Sequence, residues 1–65
     1  MTNIADALAN EIQRNRELLE EYKKIPAGAF GAALIDLDIK NAVKALASGD
    51  VLEILQAYEA MKNNE

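Results

Sequence analysis

Apolar residues along this chain recur at spacings of three, four and seven, and nowhere do they alternate with polar ones over the length of a strand. In the first segment Ala5, Leu8, Ile12, Leu19 and Tyr22 trace one face of an amphipathic helix, widened by Ile4 and Leu18. The predicted helix runs from about residue 4 to 24. Asn3 or Thr2 stands where an N-cap is needed, and Asp6 lies in the first turn, where the helix dipole favours negative charge. Glu20 and Lys24 form an i,i+4 pair in the favourable order. Pro26 ends the segment, because the residue before a proline is pushed away from helical angles.

A second helix is predicted from about 29 to 47, with Ala32, Ile35, Ile39, Ala42, Val43 and Leu46 as its main apolar stripe. Asp36, Lys40 and Lys44 lie opposite, at i,i+4 spacing, as a solvated face. Ser48-Gly49-Asp50 is the second joint: Gly49 suits a left-handed helix terminator, and Asp50 with Glu53 three residues on suits a capping box. The third helix is predicted from about 51 to 62, with Val51, Ile54, Leu55, Tyr58 and Met61 inward and a tail, Asn63-Asn64-Glu65, expected to fray. The expected fold is all-α, a compact three-helix bundle with short loops and a single domain over residues 1–65.

Helix two carries a second apolar set, Phe30, Leu34 and Leu37, more than a quarter turn from the first. A helix that is apolar over most of its circumference wants more than one partner. Either Phe30 and Leu34 meet helix one while Ile35 and Ile39 meet helix three, or Phe30, Leu34 and Leu37 form a patch that a second copy covers. Asn15 stands at a heptad position between Leu8 and Tyr22, and Asn41 continues the Leu34/Leu37 stripe. A buried Asn in a helical seam fixes register or oligomeric state at some cost in stability. The simpler expectation places each amide at the edge of its stripe, in water.

Composition narrows the function classes. A chain of 65 residues buries only roughly 60% of its unfolded surface, so small domains lean on disulfides, metals or oligomerisation. With no Cys and no His, oligomerisation or very regular helix packing remains. Eleven acidic residues against seven basic ones give a net charge of −4, which argues against direct binding of nucleic acid or of an anionic membrane. No apolar run approaches the ~20 residues of a membrane span, and no basic segment followed by an apolar one marks a signal peptide. The expected location is the cytoplasm.

Candidate chemistry is sparse. Gly28 and Gly31 form a Gly-x-x-Gly spacing, but no strand precedes them and no Lys, Ser or Thr accompanies them as in a phosphate loop. They suit a turn and a close approach between helices. Arg14 and Arg16 are the only arginines and are candidates for a surface partner; two residues apart, they diverge on a helix and make no single clamp. Arg14 has Glu11 three residues before it and Glu17 three after. Glu17, Glu20 and Glu21 cluster on helix one, yet a carboxylate metal site of the bundle type adds His at Glu-x-x-His spacing. Asp36 and Asp38 lie on different sides of helix two. Tyr22 and Tyr58 each end an apolar stripe, with the hydroxyl expected at the bundle end or in water. Ser48 lies in a turn with no oxyanion-hole signature. No enzyme activity and no cofactor is expected.

Arg14-x-Arg16-x-Leu18-Leu19, then Tyr22, then Pro26-x-Gly28-Ala29-Phe30-Gly31-Ala32-Ala33, and onward through Ala45 to the Ala47-Ser48-Gly49-Asp50 turn, resembles a group of small bacterial proteins, some of them associated with prophage regions. The resemblance implies a compact helical protein of bacterial or phage context and brings no activity with it. Gly49-Asp50 with Tyr58 also looks like a tetratricopeptide-type hairpin, but Ile54 and Met61 replace its small residues and no neighbouring repeat is present. The expected function is a helical protein–protein interaction module, self-associating as a homodimer or binding another protein. Phe30, Leu34 and Leu37 would be its contact patch, Gly28 and Gly31 would allow close approach, and Asn41 would sit in the seam. The alternative is a small acidic regulator acting on a nucleic-acid-binding protein.

Overall fold

A computed structural model describes residues 3–65. Three helices follow one another: α1 over Ile4–Lys23, α2 over Ala29–Ser48 and α3 over Val51–Lys62. All three pairs of helices pack together, forming an all-α three-helix bundle. The molecule measures 38 × 21 × 16 Å. The long axis follows from two helices of twenty residues at ~1.5 Å rise each.

Each helix end has a local cause. Asn3 caps α1, its Oδ1 accepting the Asp6 amide at 2.8 Å. Thr2, the other candidate cap, lies outside the described residues. At the far end the Lys24 and Ile25 amides bond back to Glu21 and Tyr22 carbonyls, one turn before Pro26. Gly49 ends α2 at φ 69°, in the left-handed region glycine enters without penalty. Asp50 Oδ1 then accepts the Glu53 amide at 3.1 Å. The reciprocal half of the expected capping box is replaced: the Asp50 amide donates to Ser48 Oγ at 3.1 Å rather than to Glu53.

The core consists of Leu8, Ile12 and Leu19 from α1, Ile35, Ile39, Ala42 and Ala45 from α2, and Ile54 and Met61 from α3. Ile4, Leu18, Tyr22, Ala32, Leu46, Ala57 and Tyr58 pack around it. The inward stripe of α3 is centred differently from the expectation. Val51 is 67% exposed and Leu55 43%, because Ala57 and Tyr58 flank Ile54 and Met61 on the side that meets the bundle. Val43 is likewise exposed, and Ala45 takes a core position in α2 that its small size had concealed.

Asn15 and the tail depart most from expectation. Asn15 is fully buried in the Leu8–Ile12–Leu19 stripe, not at its edge. Its Nδ2 donates to the carbonyls of Glu11 (2.8 Å) and Met61 (3.2 Å). Its Oδ1 accepts from Asn64 Nδ2 at 2.9 Å. The tail therefore docks rather than frays: Asn64 Nδ2 also reaches Asp38 Oδ2 at 3.0 Å, and the Tyr22 hydroxyl donates to the Glu65 main-chain oxygen at 2.5 Å. Among the described residues every buried side-chain nitrogen and oxygen has a partner, as burial without one costs about 1–3 kcal/mol.

Candidate interaction surface

On α2 the residues Phe30, Leu34, Leu37 and Asn41 follow one another at steps of four, three and four. Such steps keep side chains in one seam along a helix. The buried residues of α2 are Ile35, Ile39, Ala42 and Ala45; Ala45 borders the seam, and Asn41 lines a shallow groove with Glu53, Gln56, Ala57 and Ala60 of α3. The seam points outward: Phe30 is 77% exposed, Leu37 54% and Leu34 49%, and Asn41 is exposed as well. The intrachain expectation would bury Phe30 and Leu34 against α1; Phe30 is left exposed, Leu34 is half exposed beside Tyr22 of α1, and the Tyr22 ring packs at Gly31.

The glycines serve that internal contact. A Cβ on Gly31 would stand 2.6 Å and 2.8 Å from Cε2 and Cδ2 of the Tyr22 ring. One on Gly28 would overlap the Tyr22 carbonyl oxygen. Gly28 also donates to Ile25 O at 2.9 Å and accepts from the Ala32 amide at 2.8 Å, tying the joint to the first turn of α2. The close approach at both positions is thus to α1 of the same chain, and the outward seam is built from Phe30, Leu34, Leu37 and Asn41 without them. Leu34 sits at the border, sharing a shallow groove with Tyr22, Gly31 and the docked tail.

The arginines separate as their spacing predicts. Arg14 is engaged within the chain: Nε pairs with Glu11 Oε2 at 2.5 Å and an Nη donates to Met61 O at 2.9 Å, so it closes the C-terminal end of α3 onto α1. Glu17 takes no part in that pair. Arg16 is exposed and borders a shallow α1–α2 groove with Ala9, Ile12, Val43 and Leu46.

The remaining candidates are absorbed by local structure. Lys23 pairs with Glu20 and Lys24 with Glu21, each at 3.4 Å and i,i+3, in place of the expected Glu20–Lys24 pair. Lys40 reaches Asp36 at 2.8 Å as its spacing predicts. Asp38 serves the tail through Asn64. Ser48 Oγ donates to Ala45 O at 2.7 Å and accepts from the Asp50 amide, so its lone pairs and proton belong to the turn. Among the described residues no three His, Cys, Asp or Glu side chains converge as a metal site would require, and no helix is long and apolar enough to cross a membrane.

A second exposed apolar set, Val51, Leu52 and Leu55, lies at the start of α3. The sequence places two of these residues inward, and nothing in their spacing separates them from the true core pair, Ile54 and Met61. Comparison with protein-family models, curated protein sequences and solved structures yields no match.

Proposed function

We propose that this chain is a small helical protein–protein interaction module that self-associates through the outer face of α2, in a bacterial cytoplasm as its sequence resemblance and cysteine-free composition suggest. The observation that carries the reading is the unbroken stripe of Phe30, Leu34 and Leu37 on the face of α2 turned away from its own core. Large apolar side chains contiguous on a surface mark interaction sites. The small size of the domain adds to the benefit of covering them.

Magnitudes set the strength of such a pairing. Full burial of a large apolar side chain contributes about 1.5–3 kcal/mol. Six such side chains across a two-fold interface give on the order of 10 kcal/mol before correction for their partial burial in the monomer. Association costs about 4–15 kcal/mol in lost freedom. The stripe alone therefore supports a weak, concentration-dependent dimer.

Sedimentation equilibrium of the wild type and of the Phe30→Ser/Leu37→Ser variant tests this. The wild type should shift towards dimer with concentration, and the variant should remain a folded monomer. A wild type that stays monomeric at the highest attainable concentration removes the reading. Apolar pairing changes little with added salt, whereas the acidic-regulator alternative predicts binding to a basic protein that salt weakens.

A further inference from the structure

We propose that residues 63–65 form a strap that swings open while the three helices stay packed, with the Asn64 carboxamide as its catch. Closed, the strap lines one groove with Tyr22, Gly31, Leu34 and Ile35. Leu34 belongs both to this groove and to the outer stripe of α2. The closed strap therefore limits what reaches that end of the stripe, and the open one uncovers Tyr22 and Ile35 beside it. The device lies within one chain and does not depend on self-association.

The catch is defined by what faces it. Asn15 is fully buried, and its Nδ2 is committed to the Glu11 and Met61 carbonyls. Its Oδ1 is thereby turned towards Asn64 as an acceptor of fixed direction. Asp38 Oδ2 is a second acceptor at the same point. An amide nitrogen carries two N–H donors and satisfies both at once. A carboxylate of the same shape would set oxygen against two oxygens, one of them charged. The Tyr22 hydroxyl, donating to the Glu65 main-chain oxygen, is the third point of attachment.

The hinge lies just past Met61. Arg14 and Asn15 both donate to the Met61 carbonyl, and the Met61 side chain is fully buried. These contacts hold the last turn of α3 on α1 without residues 63–65. The strap itself brings no apolar side chain to the bundle, and Asn63 and Glu65 are exposed. Three side-chain hydrogen bonds keep it closed. Their modest net strength, offset by the ordering of three residues, favours the closed form by about 10–100-fold. Folded and unfolded forms of a small domain differ by about 10³–10⁸. The strap therefore opens long before the bundle does, as the least protected segments of a fold do.

Hydrogen exchange of the wild type, read by NMR, tests this directly. Nδ2 of Asn64 is bonded to two acceptors in the closed form, so its protons exchange through opening. They should be protected about 10–100-fold, and the main-chain amide of the buried Ile39 at least about ten times more strongly. Tyr22→Phe removes one attachment and should lower the Asn64 protection by about 2–10-fold. Equal protection of Asn64 and Ile39 would mean that the strap opens only with the bundle, and no protection of Asn64 would mean that there is no catch; either result overturns the proposal. Asn64→Asp gives the second readout. Order parameters at residues 63–65 should fall below about 0.6 while Met61 keeps about 0.85. A strap that stays ordered in this variant, or an α3 that loses its order with it, overturns the proposal. Both measurements repeated in the Phe30→Ser/Leu37→Ser background, which leaves every residue of the catch unchanged, separate the strap from self-association: the same result there supports the strap whatever sedimentation shows.

Discussion

Asn64 donates its side-chain amide to Oδ1 of Asn15 at 2.9 Å, joining the one fully buried polar side chain among the described residues to a residue beyond the end of α3. The same amide reaches Asp38, so a single side chain bridges α1 and α2. With Asn15 also bonded to the Glu11 and Met61 carbonyls, the polar seam links all three helices at one level.

Asn15→Ala should cost about 2–3 kcal/mol, since it opens a cavity and leaves buried partners unsatisfied. Asn64→Ala, on a half-buried residue, should cost about 1 kcal/mol. The double variant should cost less than the sum by about 0.5–1 kcal/mol, since the shared interaction can be lost only once. Urea unfolding of the four proteins at one concentration measures each value. Strictly additive losses would show that the tail contributes nothing to Asn15.

The joint before α3 offers a cleaner separation. Asp50→Ala removes the side chain that accepts the Glu53 amide and should cost about 1 kcal/mol. Glu53→Gln should change stability by less than about 0.5 kcal/mol, because the Asp50 amide already donates to Ser48 and the Glu53 side chain closes no box. Equal losses from the two substitutions in thermal unfolding would restore the reciprocal box that the sequence suggested.

The helices were legible because their signals are local. Asn3, Pro26, Gly49 and Asp50 each act within a turn of their own position, and the observed bounds follow them. The outward seam was legible as a question, since spacing alone separates Phe30, Leu34 and Leu37 from Ile35 and Ile39. That Phe30 is left exposed while the Tyr22 ring packs at Gly31 depends on a contact between helices that no single helix encodes. Asn15 misled for a related reason. Its position in the stripe was plain, but its burial depends on three partners, of which two, Met61 and Asn64, lie more than forty residues away. On α3 the apolar residues nearly encircle the helix, so periodicity placed Ile54, Tyr58 and Met61 inward correctly but took Val51 and Leu55 with them and passed over Ala57.

Lys62 provides a pH-dependent check on the last turn of α3. Its Nζ lies 3.1 Å from Glu59 Oε2 and 5.6 Å from the centre of the Tyr58 ring. The hydrogen bond and the charge of Glu59 raise its pKa above 10.5. A raised value in the folded state means that the contribution is complete below the unfolded pKa and is lost as pH rises through the folded one, so the change falls on the alkaline side of 10.5. Titration of the Lys62 side chain by NMR should show the elevation, and Glu59→Gln should return it towards 10.5. An unchanged titration in that variant would assign the elevation to another cause.

Gly31 and Tyr22 define the most diagnostic substitution, because two opposing effects act on one atom. Alanine is favoured over glycine inside a helix by about 1 kcal/mol. At position 31, however, the added methyl would meet the Tyr22 ring at 2.6 Å and 2.8 Å, and overpacking of this kind costs about 1–3 kcal/mol. Gly31→Ala should therefore destabilise the wild type by up to about 2 kcal/mol. In a Tyr22→Ala background the ring is absent and the propensity gain remains, so the same substitution should stabilise by about 0.5–1 kcal/mol. Both backgrounds can be read by urea unfolding, and the sign reversal is the result to seek. A stabilising Gly31→Ala in the wild type would mean that the ring yields without cost and that Tyr22 does not fix the approach of α1 to α2.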